Sequence, residues 1–219
     1  MGKNKLFLIM FVYLFVYSEK SFSKESELLK LIQLQYKNIS SFSGRFIQKS
    51  FNRNNEIDPK KAEGEVIYKR PGKMRWVYNS PEEHLLVTNG KMLWLFDPLL
   101  ENVTVQKLKK ITDGTALSFL LGIGDLTKDF IHRDISKPLL KKLDDLIVEI
   151  VPKKLKSNLA FIQLVVHRKT YNLKKILLMD QLGDFRTIEL KSMKYNLELD
   201  DRLFEFKIPK GMEVIEPAN

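Results

Sequence analysis

The side chains able to do chemistry in this chain are few and scattered. Its three histidines stand at positions 84, 132 and 167, and it has no cysteine. A transition-metal site gathers three or four His, Cys or carboxylate ligands at short spacing, and these histidines share no such spacing. A hydrolase needs an activated nucleophile, yet no serine lies in a Gly-x-Ser-x-Gly elbow. Phosphate or dinucleotide chemistry calls for a glycine-rich loop, and Gly122-Ile123-Gly124 runs into Asp125 without a third glycine. Carboxylates pair at Glu82-Glu83, Asp144-Asp145 and Asp200-Asp201, in turn-like settings that suit solvated acids better than a matched acid and base. No enzymatic activity, no metal and no cofactor is expected.

What remains is an unusual supply of large apolar surface, with 14 Phe, 7 Tyr and 2 Trp. Both tryptophans fall between Glu63 and Pro98, where turn signals are densest. Val66 to Lys69, Lys73 to Tyr78, Leu85 to Thr88 and Lys91 to Phe96 read as four short strands. Arg70-Pro71-Gly72 turns the first into the second, and Asn79-Ser80-Pro81 ends the second. Asn89-Gly90 predicts a type I′ hairpin with φ > 0 at both central residues. Met74, Trp76 and Tyr78 share one strand face, opposite Lys73 and Arg75, and Met92, Trp94 and Phe96 share another. Together they are expected to form an aromatic-lined wall.

The elements that must position this wall can be read on either side of it. Glu25 to Ile39 places Leu28, Leu29, Ile32, Tyr36 and Ile39 at helical spacing, an amphipathic helix of about four turns. Phe42 to Phe51 alternates as a half-buried strand, with Phe42 and Phe46 on one side, and Asn52 to Lys61 reads as a polar loop. Val103 to Lys107 is a further strand. Thr112 to Thr115 then supplies a cap for a short helix over Ala116 to Leu121, ended by Gly122. That helix is apolar nearly all round through Leu117, Phe119, Leu120 and Leu121, and six residues are too few to be stable alone, so it must lie in an apolar groove. Asp125 to His132 predicts one more helical turn, with Asp125 as cap and Leu126 and Phe130 buried. Leu139 to Leu143 is ambiguous. Strands return at Leu146 to Val151, Leu159 to Val166, Lys174 to Met179, Phe185 to Ser192 and Phe204 to Ile208, the spacing of a meandering antiparallel sheet. Mainly β architecture in one domain follows.

The N-terminus sets the compartment. Two lysines precede an uninterrupted apolar run of 12 residues, Leu6 to Tyr17, and small residues follow at Ser18, Ser21 and Ser23. This is the layout of a cleavable signal peptide over residues 1–23, cut after Ser18 or after Ser23; the run is shorter than the roughly 20 apolar residues that span a bilayer as a helix. An exported domain over 24–219 without disulfides must be held by its core, and this length can bury enough surface for that. The formal charge of +10 favours anionic headgroups or acidic protein patches. Nucleic acid is not expected, because an exported chain meets membranes and other envelope proteins first; lysine enrichment without any role in binding accounts for the charge equally well.

Several stretches together carry a resemblance. YKRPGKMRW (Tyr68–Trp76), Pro81, LVTNGKMLWLFDP (Leu86–Pro98), VTVQ (Val103–Gln106), SFSGRFIQ (Ser41–Gln48) and the ending FEF (Phe204–Phe206), PKG (Pro209–Gly211) and Val214 resemble the periplasmic outer-membrane lipoprotein carrier family, the LolA family. The resemblance implies an unclosed antiparallel β-barrel, here of about 11 strands, with an N-terminal helix and short lid helices over a hydrophobic cavity. It implies a periplasmic chaperone that takes acylated lipoproteins from an inner-membrane ATP-driven (ABC-type) release complex and delivers them to an outer-membrane lipoprotein receptor, working as a monomer. Residue by residue, Arg70 matches the family's latch arginine, with Pro71 beside it, and Leu117, Phe119, Leu120 and Leu121 fall on the lid helix. Phe46, Met74, Trp76, Met92, Trp94 and Phe96 are the expected cavity wall. Met74 stands where relatives can carry an aromatic residue, and Thr115-Ala116 where the family often has Thr-Pro. The alternative on the same fold is a lipid-sensing or outer-membrane receptor-type binding domain. That receptor is anchored through a lipidated cysteine, and this chain has no cysteine.

Overall fold

The structure is a computed structural model that describes residues 19–53, 55–109, 121, 123–133, 135, 145–153 and 158–217. The proposed signal run, the segment expected to be the lid helix apart from Leu121, and the ambiguous Leu139 to Leu143 stretch lie outside the described residues.

A helix, α1 (Glu19–Asn38), leads into six strands: β1 (Ser41–Asn52), β2 (Asn55–Lys69), β3 (Lys73–Ser80), β4 (His84–Asn89), β5 (Met92–Asp97) and β6 (Asn102–Lys107). A single turn of helix, α2 (Leu126–Asp129), precedes β7 (Phe130–Arg133), β8 (Asp145–Pro152), β9 (Leu159–His167), β10 (Leu173–Asp180) and β11 (Phe185–Tyr195). A 3₁₀ turn at Asp201–Phe204 and a short β12 (Glu213–Ile215) complete the described chain. All strands join one sheet in the order β12-β6-β5-β4-β3-β2-β1-β11-β10-β9-β8-β7, so two meanders meet where β1 pairs with β11. Pairing is antiparallel throughout except that β12 runs parallel to β6. One sheet face and α1 share a single apolar cluster that draws on both halves of the sheet, from Met74 and Leu93 to Val148 and Ile150. The first and last strands in this order do not pair with each other, which makes the sheet an unclosed barrel around α1.

Where the observed elements depart from the sequence pattern, local pairing explains why. From Asn55 onward the expected loop at Asn52 to Lys61 is the outer half of β2. It pairs with β1 through Ser50↔Lys60, Lys49↔Lys61 and Gln48↔Ala62, whereas β3 joins only from Glu63↔Ser80 onward. Beyond Ser80 the outer half of β2 is a sheet edge, paired with β1 on one side only while β1 itself pairs on to β11, and from Asp58 to Lys61 its side chains are exposed or half-buried, so it carries no apolar alternation to read. The helical turn after Asp125 stops at Asp129, with Asp125 accepting from the Thr127 amide as expected, and Phe130 is buried as a strand residue instead. The strand expected at Phe204 to Ile208 is replaced by the 3₁₀ turn and an extended segment, and the last described strand forms later as β12, giving 12 strands among the described residues.

Two glycine turns meet at one end of the sheet. Gly72 and Gly90 have φ of 67° and 90°, and a Cβ on Gly72 would come within 3.3 Å of the Gly90 Cα. Asn89 does not share the positive φ expected of a type I′ turn. Its side chain accepts from the Lys91 and Met92 amides instead, both at 2.9 Å, and the last cross-strand pair is Thr88↔Leu93. The Thr88 hydroxyl ties the two turns by donating to the Gly72 carbonyl at 3.2 Å.

Candidate functional site

The Arg70-Pro71-Gly72 turn lies against the C-terminal end of α1. The last carbonyls of a helix have no intrahelical partner, and here a guanidinium, with its five donors, supplies one. Arg70 donates through Nη2 to the Tyr36 carbonyl at 2.6 Å and through Nε to the Ile39 carbonyl at 3.3 Å. Its backbone amide donates to Ser40 O at 2.8 Å, and the Gly72 amide to Leu121 O at 3.1 Å. Leu121 is fully buried. Pro71 is exposed at the tip of this turn.

Two more polar contacts hold the flanks of α1. Gln33, buried, accepts from the Leu126 amide at 2.7 Å, and Gln35 donates to Asn172 Oδ1 at 2.7 Å. The helix is thus fastened at three points over the sheet by bonds that its own movement would break.

Beneath it lies an apolar cleft whose walls come from three directions. Ile32, Tyr36 and Ile39 descend from α1; Phe42, Met74 and Trp76 come from β1 and β3; Leu173, Ile176, Leu190, Met193 and Tyr195 come from β10 and β11. In this conformation its free volume is about 30 Å³, room for about two waters. The side chains of its own lining nearly fill it. A larger open hollow of about 460 Å³ sits at the opposite end, among the polar hairpin tips and the stacked rings of Phe51 and Phe185, 4.3 Å apart.

Of the residues expected to form the wall, Met74 and Trp76 line the cleft, and Phe46 packs behind them, 4.6 Å from the Trp76 ring. Met92, Trp94 and Phe96 face the other way, a correction set by register. Trp76 pairs with Leu86 and Leu86 with Leu95, while Val87 pairs with Trp94. The inner face of β5 therefore carries Leu93 and Leu95, and its three larger side chains lie on the outer face. There the C-terminal segment covers them: Phe206 sits 6.4 Å from Trp94 and 5.7 Å from Phe96. Leu117, Phe119 and Leu120 lie outside the described residues. The cleft residues from β10 and β11 were not singled out from sequence, although the Leu173 to Met193 alternation signals a buried face; nothing local told which strands share a cavity with β3.

The titratable groups divide by location. Burial raises the Tyr36 hydroxyl well above the ordinary phenol range and raises those of Tyr68, Tyr78 and Tyr195, so all four remain protonated donors at neutral pH. The paired acids are structural. Asp201 is held at about 2 by hydrogen bonds from Lys69 and Lys73, both at 2.6 Å, which pin the C-terminal segment to β2 and β3. Asp145, buried, pairs with Lys174 at 2.6 Å. His84 lies between Glu82 and Asp97, and His167 receives the Lys169 and Thr170 amides. Among the described residues no three His, Cys, Asp or Glu side chains gather as metal ligands, and no helix is long and apolar enough to cross a membrane.

Comparison with known proteins places this architecture. A solved DUF1329 family protein from Desulfovibrio piger superposes with a TM-score of 0.51 over 84% of this chain and 97% of that one, at 12% identity, which speaks to the fold alone. The chain is 35% identical over 214 residues to an outer-membrane lipoprotein carrier protein of Legionella pneumophila, covering 97% of this chain and 99% of the relative. It is 33% identical over 204 residues to one from Azotobacter vinelandii, covering 90% and 89%. The profile described as outer membrane lipoprotein carrier protein LolA matches residues 37–207, from the last turn of α1 to just past Phe206. An unclosed sheet around a fastened helix, an apolar cleft beneath it and these alignments agree: the chain belongs to the LolA family of outer-membrane lipoprotein carrier proteins.

Proposed function

We propose that the protein is a periplasmic chaperone that carries acylated lipoproteins, receiving them from an ATP-driven inner-membrane release complex and passing them to a receptor at the outer membrane. The observation that carries this reading is the Arg70 bridge onto the end of α1 above an apolar cleft with a free volume of only about 30 Å³. An acyl chain of about 16 carbons is worth roughly 12 kcal/mol in a bilayer at about 0.8 kcal/mol per methylene. A carrier must match much of that in an apolar cavity and yet hold less tightly than the receiver. A helix whose closed state fills the same space as the cargo supplies the weakening: every bond regained on closing is free energy taken from cargo binding.

Extraction itself needs an external energy source, since the chain has no nucleotide motif; this supports an ATP-driven donor. The test is to incubate the mature protein with inner-membrane vesicles carrying a labelled lipoprotein and the ATP-dependent release complex. A soluble one-to-one complex with the lipoprotein, formed only with ATP, is the expected outcome. Absence of labelled lipoprotein from the soluble fraction overturns the reading.

A further inference from the structure

One end of the cleft is polar within an otherwise apolar wall. Under the last turn of α1 the phenols of Tyr36, Tyr68 and Tyr195 gather near the Arg70 guanidinium, close enough that the other three all act on the Tyr36 hydroxyl. Tyr36 and Tyr195 line the cleft. Tyr68 is fully buried on β2, stacked on Phe42 at 4.9 Å and 6.1 Å from the Tyr36 ring. Among the described residues its hydroxyl has no hydrogen-bond partner. The indole N–H of Trp76 is likewise buried and unpaired, near the Tyr78 hydroxyl but outside hydrogen-bond geometry with it. Because Tyr68 pairs with Met74 and Val66 with Trp76, these two donors are diagonal neighbours on the inner face of β2 and β3, about 7–8 Å apart at the backbone.

A buried donor without an acceptor is a standing cost to the folded protein, and each such group in a native structure calls for an explanation. The acyl chains of a lipoprotein bring the missing partner. Ester and amide carbonyls accept hydrogen bonds and donate none, and they occur only at the head of the chain. Tyr68 and Trp76 stand on the sheet, so they stay in place when α1 lifts and takes Tyr36 with it. The alkyl body of a bound chain then meets Ile176, Leu173 and Leu190.

We propose that the Tyr68 hydroxyl, with the Trp76 N–H beside it, is the site that receives the ester or amide carbonyls at the head of the acyl chains. The cleft then selects glycerol-ester lipid over bare hydrocarbon of equal length. This rests on the carrier reading and specifies its ligand chemistry.

The test titrates wild-type protein and Tyr68→Phe with a peptide whose N-terminal cysteine carries a dipalmitoylglyceryl group, and with its ether-linked analogue, which lacks the carbonyls. Wild type is expected to bind the ester form about five- to tenfold more tightly, the worth of one to two net hydrogen bonds. In Tyr68→Phe the ester preference shrinks to what the Trp76 N–H alone supplies, about two- to threefold, while ether affinity holds, and the unloaded variant melts about 2–4 °C higher because an unpaired group is gone. Equal affinities in wild type, an ester preference unchanged in Tyr68→Phe, or a lower melting temperature with both affinities falling in parallel overturns the inference. Should that variant fail to fold, Trp76→Phe gives the same comparison. Binding of both forms without preference leaves the carrier reading standing; binding of neither removes it too. A dipalmitoyl phospholipid run alongside separates the two sources of such carbonyls: Tyr68-dependent binding of the lipopeptide alone assigns the site to lipoproteins, and of the phospholipid alone overturns that assignment.

Discussion

Replacing Arg70 with leucine removes both side-chain bonds to the end of α1 while leaving the backbone bond from Arg70 to Ser40 O. The Nη2 bond at 2.6 Å is short and comes from a charged donor, a class worth about 1.5–3 kcal/mol net. The Nε bond at 3.3 Å adds little, and the half-buried side chain is partly screened by water. The closed state should therefore lose about 2 kcal/mol relative to the open one, a shift of roughly thirtyfold in their ratio. Helix α1 keeps its ties through Gln33 and Gln35, so the fold survives with a melting temperature lower by no more than about 4–8 °C. If closing competes with cargo, the variant binds a diacylated lipopeptide up to about thirtyfold more tightly, because the competent state is more populated. Transfer to acceptor membranes slows in proportion. Fluorescence titration gives the first quantity and a timed vesicle-transfer assay the second. A folded Arg70→Leu protein with affinity and transfer both within twofold of wild type refutes the latch. Arg70→Lys, which keeps the charge but not the planar fork, should fall between the two.

The two tryptophans should report opposite faces. Emission from Trp76 in a Trp94→Phe background shifts when lipopeptide binds, and emission from Trp94 in a Trp76→Phe background does not; the reverse pattern would contradict the β4 to β5 register. The C-terminal tether should be pH-dependent. Asp201 titrates at about 2 in the folded protein against about 3.9 for a free carboxyl, so its contribution is present above pH of about 4 and is lost as pH falls toward 2. Hydrogen-exchange protection of the Glu213–Ile215 amides should drop over that window, and in Asp201→Asn it should already be low at neutral pH. Molar salt should weaken it too, since the pair is exposed; protection unchanged by any of these shows that the two lysines do not hold the segment.

Much of the site could be read locally. The amphipathic spacing of Leu29, Ile32, Tyr36 and Ile39 is a property of a few consecutive turns, and all four are buried. Gly72 is the one residue of its turn without a Cβ to strain at positive φ, and Asp125 caps because its carboxylate reaches the amide two residues on. These depend on neighbours in sequence. The outer half of β2 was illegible for the opposite reason: its ladder is made by the backbone, and from Asp58 to Lys61 no side chain is buried on either face.

The face assignment of β5 shows where local reading ends. Alternation established that Met92, Trp94 and Phe96 share a side, and they do: Trp94 and Phe96 pair in step with Val87 and Leu85 of β4, and all three pair with every second residue of β6. A period of two says which residues keep company and not which way they look. The choice is usually settled by polarity, but here both faces are apolar, one under α1 and the other under Phe204 and Phe206. Only the register against β3, and the return of a segment about 110 residues later in the chain to lie over Trp94, decided that the larger aromatics seal the outside. The sequence by itself determined most of the strands, the Arg70-Pro71-Gly72 turn and the amphipathic helix. The tertiary structure decided which side of the sheet is the container, because containment arises from β3, β10, β11 and α1 meeting, and no one of them carries that information alone.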